Sequence, residues 1–449
     1  MSSAVPANVA ATLVVMNSAE LGSTTTWDVH VVADSDTRWK WGASLAHQLT
    51  GAGTSRVHGH LVDGRAAPTD AQVREVGVAA VTLTRGGMSD VLNRLADVEA
   101  EVVVLACAGG TIQSLLHGLA HAWQGRQSRP VVVTGYVGVV YERVVDGLLL
   151  RAGADVVLAN SAADERTFRS VYRAVGADPD SVVRTALPFL GSRRGTPAGD
   201  RPFTVTFVAQ PSVPETAQER RYAMTQVLEH ARRHPERHVV VKLRARPGEQ
   251  TTHVETHHYA TLVREASLPA NVSYAYGSMA DVLDRTDLCV TVSSTAALEA
   301  MHRNIPVGVL TDFGVRESLG NHVFAASGAL VSWPELHDGV LPTTDPTWAA
   351  DNGVGDDDAY EAVRDRLLRL TAQHDTLPPL RPWFTTEKSG AYLPHLLARH
   401  GLDPDGSTPA GRIEHQPHRG RRVLRGAARR VHRLGTARIE PRLRRWANQ

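Results

Sequence analysis

The chain contains 449 residues, of which 42% are hydrophobic and 21% charged, and its net charge is +1. This length predicts two or three domains, and the hydrophobic fraction excludes a chain that is disordered throughout. The two cysteines, Cys107 and Cys289, lie in apolar runs, which excludes a disulfide framework and suits buried thiols in a reducing compartment. No signal peptide and no run of 18 apolar residues is found, so we expect a cytoplasmic protein without a membrane span.

The first half of the chain alternates short β-branched runs with helical patterns. The predicted strands are residues 28–33, 78–83, 101–106, 130–134 and 155–159, and helices between them include 89–95, 111–123 and 142–150. Continuous apolar runs of this length are typical of strands buried on both faces, as in a parallel sheet. The repeated β-α-β order predicts a doubly wound sheet with right-handed crossovers.

A dense polar cluster, residues 34–42, follows the first predicted strand. Ligands of open parallel sheets bind at the carboxyl ends of strands, so we expect this cluster to face a cleft. Asp34 or Asp36 could act as the catalytic base that takes a proton from an acceptor hydroxyl, or each could cap a helix. Arg38 and Lys40 could bind a negatively charged acceptor or a leaving phosphate.

Other side chains near these strand ends also suit an acceptor site. Trp39 and Trp41 could stack on a sugar face, or they could fill the core. Gly109 and Gly110 form a strand-to-helix turn that permits a close approach of backbone to ligand, although tight turns alone also use such pairs. Tyr136 lies in a similar loop after the next strand.

A linker rich in glycine, proline and charge, residues 190–202, separates this half from a second series of elements. The second series has predicted strands at 203–208, 238–243, 271–274, 288–292 and 306–310, and helices at 217–234, 259–266, 279–285 and 296–302. The sequence therefore predicts two Rossmann-like α/β domains, at residues 1–195 and 200–375, facing across a cleft.

The sharpest motif of the second half is a buried strand that ends in Ser293, Ser294 and Thr295 and runs directly into a helix. A helix N-terminus offers free N–H groups and a positive dipole end, and the hydroxyls add donors, so a phosphate could bind there. Glu299, on the second turn, could accept hydrogen bonds from ribose hydroxyls. The same residues could also form an ordinary helix cap with a local ion pair.

Cationic side chains follow a neighbouring strand of the same predicted sheet. Lys242, Arg244 and Arg246 could meet phosphate charge, or they could form a solvated basic turn.

Two further turns of the second half are candidates for contacts with the donor. Tyr276, Gly277 and Ser278 form a strand-to-helix turn that could hold a nucleotide base through backbone groups, with the tyrosine ring stacked on it. Asn321 and His322 follow the last predicted strand in a polar loop, and they could contact the donor sugar or phosphate; a plain surface loop is the alternative.

The order of strand, Gly-Ser turn, helix, strand and Ser-Ser-Thr-Ala-x-x-Glu-Ala resembles the donor domain of GT-B glycosyltransferases. It is most similar to the branch that contains bacterial polysialyltransferases, CDP-glycerol glycerophosphotransferases and nucleotide-sugar 2-epimerases, and the whole chain resembles an actinobacterial glycosyltransferase family. The resemblance implies that residues 293–295 hold the nucleotide phosphates and that Glu299 holds the ribose. Where the branch has His-Pro, this chain has Arg246-Pro247, whose guanidinium binds phosphate but is not a proton donor near neutral pH.

The resemblance implies a metal-independent glycosyltransferase with no cofactor, in which the first domain holds the acceptor and the second holds the nucleotide sugar. Glycerophosphoryl transfer is a variant of this hypothesis. A 2-epimerase-like isomerase or hydrolase on the same fold is one alternative. A non-catalytic protein that only binds the nucleotide sugar is another.

The C-terminal part divides into a helical segment, 376–411, that could cross back to the first domain, and a basic tail, 412–449. The tail carries 12 arginines and two acids, a net charge of +10, so the remainder carries 1 − 10 = −9. Its spacing suits an amphipathic helix on an anionic membrane, as for an enzyme with a lipid-linked or cell-envelope acceptor. A disordered tail, or a helix docked on the acidic body, are the alternatives. Without interleaved aromatics, nucleic-acid binding is not expected.

Overall fold

The computed structural model describes residues 26–50, 54–64, 66–76, 80–139, 143–190, 201–247, 249, 255, 257–263, 267–355 and 359–409. The predicted basic tail and positions 191–200 of the predicted linker lie outside the described residues. Among the described residues, no helix has both the length and the apolar character needed to cross a bilayer.

The first sheet has seven parallel strands in the order β3-β2-β1-β4-β5-β6-β7. The strands are β1 (Thr26–Ala33), β2 (Thr54–Val62), β3 (Thr82–Gly86), β4 (Val102–Ala106), β5 (Val131–Gly135), β6 (Val156–Ala159) and β7 (Val182–Arg184). Its helices are α1 (Asp36–Thr50), α2 (Asp70–Glu75), α3 (Met88–Ala96), α4 (Gly109–Ala122), α5 (Val144–Leu149) and α6 (Ala162–Val175). Every residue of β4, β5 and β6 is buried, as continuous valine-rich runs between two helix layers require.

The second sheet has six parallel strands in the order β10-β9-β8-β11-β12-β13. The strands are β8 (Thr204–Val208), β9 (His238–Lys242), β10 (Val272–Ala275), β11 (Leu288–Thr291), β12 (Val307–Leu310) and β13 (Leu330–Val331). Its helices are α7 (Ala217–Arg233), α8 (Tyr259–Leu262), α9 (Met279–Leu283), α10 (Ala296–His302), α11 (Trp333–His337) and α12 (Pro346–Asp351). Both sheets start in the middle, wind to one edge and then reverse, which confirms the predicted pair of Rossmann-like, doubly wound parallel sheets.

The sequence pattern misses or misplaces some strands. β2 reads Thr-Ser-Arg-Val-His-Gly-His-Leu-Val, without a continuous apolar run, yet it lies between β1 and β3. The strand predicted at 78–83 starts too early: β3 begins at Thr82, and positions 78 and 79 lie outside the described residues. Pairing with β2 sets the position of β3, with His58 opposite Thr82 and Val62 opposite Gly86.

After α12 the chain returns to the first half. The Tyr360 hydroxyl donates a hydrogen bond of 2.6 Å to the Ala186 carbonyl, and α13 (Glu361–Thr371) packs against α1 and the first sheet. The return therefore begins before residue 376, where the sequence analysis placed it.

The remaining helices, α14 (Thr386–Ser389) and α15 (Tyr392–Arg399), also lie on the first half. Leu393 and Leu397 of α15 are buried in the core that α4 shares with the first sheet. The Arg129 guanidinium holds the segment before them through hydrogen bonds of 2.9 and 2.6 Å to the Pro378 carbonyl.

Candidate functional site

Loops that follow strands of the two sheets contact each other. Arg244, two residues beyond β9, donates to the Asp36 carboxylate and, at 2.7 Å, to the Thr37 hydroxyl at the start of α1. Gly138, beyond β5, lies against Thr295 at the start of α10, and a Cβ added to that glycine would be 3.1 Å from the threonine methyl. The carboxyl ends of both sheets therefore meet along one line, here called the groove, and such strand ends are where open α/β sheets bind ligands.

Asp34 ties three elements of the first half together. One carboxylate oxygen accepts from Arg38 at 2.9 Å, and the other accepts from the Ala108 N–H at 2.9 Å and the Thr111 hydroxyl at 3.1 Å. Both oxygens thus accept hydrogen bonds, one from α1 and the other from the start of α4, as in the capping alternative. Of the two candidate bases, Asp36 is the one that faces the second half.

Lys40 connects the first half electrostatically to the second. Its ammonium lies 4.7 Å from the centre of the Phe189 ring in a cation–π contact. The ring carries no negative charge, so this contact does not neutralise the ammonium. Burial raises the pKa of the Glu299 carboxyl, and the charge of this ammonium acts in the opposite direction. The positive charge of α1 therefore reaches the predicted nucleotide site.

The hydroxyl motif before α10 is half-buried and is braced by its own half. Ser293 donates from its hydroxyl to the Leu319 carbonyl at 2.5 Å, and its N–H donates to Gln210 at 2.9 Å. The Ser294 hydroxyl accepts from the Ala296 N–H at 3.2 Å, whereas Thr295 makes no side-chain cap. Gln210, which the sequence analysis did not single out, fixes the loop that presents Ser294 and Thr295 to the groove.

Glu299 is a buried carboxylate, 4% exposed, on α10. Its Oε2 has no hydrogen-bond partner among the described residues. Burial raises the pKa of Glu299, and the charges of Lys40, Arg303 and Lys242 act in the opposite direction. A buried carboxylate oxygen without a donor is costly, so this position suits a ligand that brings hydroxyl groups to it.

The three predicted cations after β9 differ in their surroundings. Lys242 is buried and donates to the Leu243 carbonyl at 2.8 Å. Arg244 makes the contacts with α1 already given. Arg246 is exposed, and its guanidinium lies 4.6 Å from the centre of the Tyr276 ring, so two residues predicted to bind the donor are adjacent. The structure therefore brings the basic turn and the tyrosine turn together.

The turn that follows Tyr276 has the conformation that its glycine predicts. Gly277 has φ of +79° and is exposed, with open space around its Cα hydrogens. Ser278 is the N-cap of α9 but makes no side-chain cap, so its hydroxyl is not used there. A base or ribose could approach this turn without displacing protein.

Asn321 and His322 lie together in the loop after β12. Asn321 is fully buried; its amide donates to the Leu310 and Gly314 carbonyls and its oxygen accepts from the Arg316 N–H at 3.0 Å. These bonds shape the loop and use the side chain structurally. His322 is half-buried beside it, and its contact with a donor stays a prediction.

The predicted acceptor-side glycines and Tyr136 are packed into the first half. A Cβ on Gly109 would lie 2.8 Å from Leu150, and one on Gly110 would lie 3.1 Å from Leu396, so close helix packing accounts for both glycines. Tyr136 is half-buried, with the Arg151 guanidinium 3.8 Å from its ring centre. Burial raises the pKa of its phenol.

Both tryptophans after β1 are core residues. Trp39 and Trp41 have no exposed surface, and each ring fills the space left by a glycine, Gly59 and Gly135 respectively. The hypothesis that they stack on a sugar is wrong, because α1 turns them toward the sheet.

The described residues contain no group of three or more His, Cys, Asp or Glu side chains arranged to hold a metal ion. An open cavity of about 610 Å³ exists outside the predicted site. It is lined by Ala162, Ala326, Asp345, Thr347, Trp348, Ala350 and Asp351. This lining is acidic and apolar and offers no cation to a phosphate, so the groove remains the better candidate.

A protein-family model described as "Putative glycosyltransferase (DUF6716)" matches residues 29–370. A search of curated proteins finds no match. Residues 29–370 include nearly all of both sheets and every predicted site residue.

Solved structures with a similar fold include two UDP-GlcNAc 2-epimerases. The one from Neisseria meningitidis, bound to UDP-GlcNAc, is 13% identical, with 76% of this chain and 100% of that chain covered and a TM-score of 0.47. The one from Methanocaldococcus jannaschii is 9% identical, with coverage of 77% and 99% and a TM-score of 0.49. A lipopolysaccharide outer core galactosyltransferase in its apo form is 9% identical, with coverage of 77% and 99% and a TM-score of 0.40.

Proposed function

Because this chain belongs to the family described as "Putative glycosyltransferase (DUF6716)", we propose that it transfers a sugar from a nucleotide-activated donor to an acceptor hydroxyl. The observation that carries the proposal is the buried Oε2 of Glu299, which has no hydrogen-bond partner among the described residues and lies on the helix that follows the hydroxyl motif. Ribose hydroxyls are the donors that this oxygen lacks.

The donor binds to the second half in this proposal. Its phosphates contact Ser294, Thr295 and the guanidinium of Arg246, and its ribose donates to Glu299. The base lies on the turn at Tyr276, whose ring already carries the Arg246 contact. Cations near the phosphate stabilise the negative charge that the departing nucleotide acquires, without a metal ion.

The proton step falls to the first half. Asp36 takes the proton from the acceptor hydroxyl while that oxygen forms its bond to the anomeric carbon and the bond from that carbon to the phosphate oxygen breaks. Asp34 is the less suitable base, because both of its oxygens already accept hydrogen bonds that position α4 and Arg38.

The basic tail at 412–449 brings the enzyme to an anionic membrane in this proposal, and the acceptor is lipid-linked or belongs to the cell envelope. The support is its net charge of +10 and its amphipathic spacing. Liposome flotation of the full chain against a chain that ends at Gly411 tests it; equal flotation on vesicles rich in anionic lipid contradicts it.

The donor proposal is tested by thermal shift with UDP, CDP, CMP and GDP and their sugars. A nucleotide that binds the folded state raises its melting temperature by mass action. Ser294→Ala and Glu299→Ala are expected to remove the shift, whereas Ser273→Ala, at a hydroxyl that hydrogen bonds His238 in the same sheet, retains it. An unchanged shift in Glu299→Ala contradicts the site.

Product analysis separates transfer from its alternatives. A transferase releases nucleotide in proportion to glycosylated acceptor. An isomerase converts the sugar nucleotide with no acceptor present, and a protein that only binds gives a thermal shift without any product.

A further inference from the structure

Arg151 is a buried arginine at the carboxyl end of the first sheet. Its side chain is enclosed by the protein, with the residue 6% exposed. Nε donates to the Gly135 carbonyl and Nη1 donates to the Gly147 carbonyl, both at 2.9 Å. The central carbon of the guanidinium lies over the Tyr136 ring, 3.8 Å from the ring centre.

The guanidinium of Arg151 donates to neutral groups. Among the described residues no carboxylate pairs with it, and its two hydrogen-bond acceptors are neutral carbonyl oxygens. The other three arginines that are buried among the described residues each pair with an acid: Arg129 binds Asp155 at 2.7 Å, Arg220 binds Glu255 at 2.7 Å, and Arg303 binds Asp284. Burying a cation without an anion is costly, which indicates that an anion is supplied from outside the chain.

A second guanidinium, that of Arg38, adds positive charge near Arg151. Burial lowers the pKa of Arg151, and Arg38 on α1 acts in the same direction because its own charge is close. Arg38 is paired with Asp34, and its side chain is 25% exposed. The two guanidinium groups and one carboxylate leave a net positive charge at the ends of β1 and β5.

Gly135 ends β5, so Arg151 lies beneath the same loop, 136–139, that contacts Thr295 across the groove. An anion that meets Arg151 therefore lies on the first-half side of the groove, opposite the donor.

We propose that Arg151, with Arg38, binds an oxyanion group of the acceptor, a phosphate or a carboxylate. This inference rests on the proposed function, because it takes the first half as the acceptor half. A planar guanidinium matches either oxyanion with two parallel hydrogen bonds, and the ring of Tyr136 holds the plane of Arg151 in a fixed orientation. The acceptor is then a charged molecule, and a neutral sugar alone does not satisfy the site.

Melting temperatures in sodium phosphate, in sodium acetate and in sodium chloride of equal ionic strength test the inference. The protein is expected to melt higher in phosphate or acetate than in chloride, and the anion with the larger shift identifies the acceptor group. Arg151→Met and Arg38→Gln should each lose most of this shift. Arg126→Gln should keep it, since Arg126 donates to the Ala96 and Val98 carbonyls near the far end of α4.

The donor site must be separated from this one, because it also binds phosphate in the proposed function. Arg246→Gln is expected to retain the larger part of the shift, and Arg151→Met is expected to retain the response to nucleotide. If Arg246→Gln abolishes the shift while Arg151→Met keeps it, the anion binds only to the donor half and the inference is wrong. An equal melting temperature in all three salts also overturns it. Should Arg151→Met fail to fold, Arg38→Gln decides alone.

Discussion

The guanidinium of Arg244 is ion-paired with the carboxylate of Asp36, although 208 residues separate them in the chain. One is the candidate base of the first half and the other is a candidate phosphate ligand of the second. In this structure the guanidinium of Arg244 and the carboxylate of Asp36 bind each other. A nucleotide phosphate that draws Arg244 toward itself would release Asp36 for its proton, so donor binding and base activation are coupled in the proposed mechanism.

Asp36→Asn tests this coupling. The amide cannot hold Arg244 by charge, so we expect nucleotide to bind more tightly, by up to about 5-fold, since a partly exposed pair is worth about 1 kcal/mol or less. Transfer is expected to fall by about 100-fold or more, because the base is lost. Calorimetric titration with the nucleotide that gives the largest thermal shift, and turnover with donor, measure the two effects.

Thr37→Ala is the matched control for Asp36→Asn, because it removes the neutral acceptor of Arg244 at 2.7 Å and a hydrogen bond of 3.3 Å to Asp36 but leaves the carboxylate in place. Its turnover should stay near that of the unaltered protein. Full transfer activity in Asp36→Asn would exclude Asp36 as the base.

Glu299→Gln separates stability from binding. Burial raises the pKa of Glu299, so the ionised carboxylate weakens the folded state as pH rises through the folded pKa. Above that pH, the ligand-free variant should therefore melt at the same temperature as the unaltered protein or higher. Its nucleotide-induced shift should be smaller, because an amide accepts ribose hydroxyls less strongly. A lower melting temperature without nucleotide would show that the carboxylate already has a stabilising partner.

Two stacked histidines on the first sheet predict a loss of stability in acid. His30 and His60 share a hydrogen bond of 2.9 Å, and burial, together with the charges of neighbouring histidines, lowers the pKa of each to about 4. The unfolded chain has a value of about 6.5, so it binds protons first. Stability from these groups is complete above about pH 6.5 and is lost as pH falls toward about 4.

Urea unfolding at about pH 7.5 and about pH 5 measures this dependence. His60→Gln should flatten the fall in the midpoint between the two conditions. His374→Gln, at an exposed histidine that contacts Asp375, should leave it as steep as in the unaltered protein. An equal fall of the urea midpoint in all three proteins would show that other groups cause the acid sensitivity.

Two ion pairs join segments that are distant in the sequence, and the pair made by Arg129 should cost more to break than the pair made by Arg166. Arg129 is buried, binds both oxygens of Asp155 at 2.7 and 2.8 Å, and holds the Pro378 carbonyl, so Arg129→Met leaves a buried carboxylate and carbonyl unsatisfied. We expect a loss of about 3–5 kcal/mol in the free energy of unfolding. Arg166→Met breaks an exposed pair with Asp351 at 2.6 Å and should cost less than about 1 kcal/mol. Equal losses in urea unfolding would contradict this distinction.

The sequence alone determined the fold class, because hydrophobic periodicity is a local property. The valine runs of β4 and β5 predict strands buried on both faces, and their alternation with helices leaves a doubly wound sheet as the natural arrangement. β2 escaped this reasoning, since its alternating histidines are placed by pairing with β1 and β3 and not by a pattern of their own.

Only the tertiary structure decided which groups meet. The sequence offered Asp34 and Asp36 as equal candidates; packing within the first half joins Asp34 to the start of α4, and contact between the two halves joins Asp36 to Arg244. Similarly, no motif marks Arg151; its burial without a carboxylate partner among the described residues depends on the elements packed around it. Electrostatic and hydrogen-bond partners are set by distances of a few ångström between segments far apart in the chain, and periodicity carries no information about those distances.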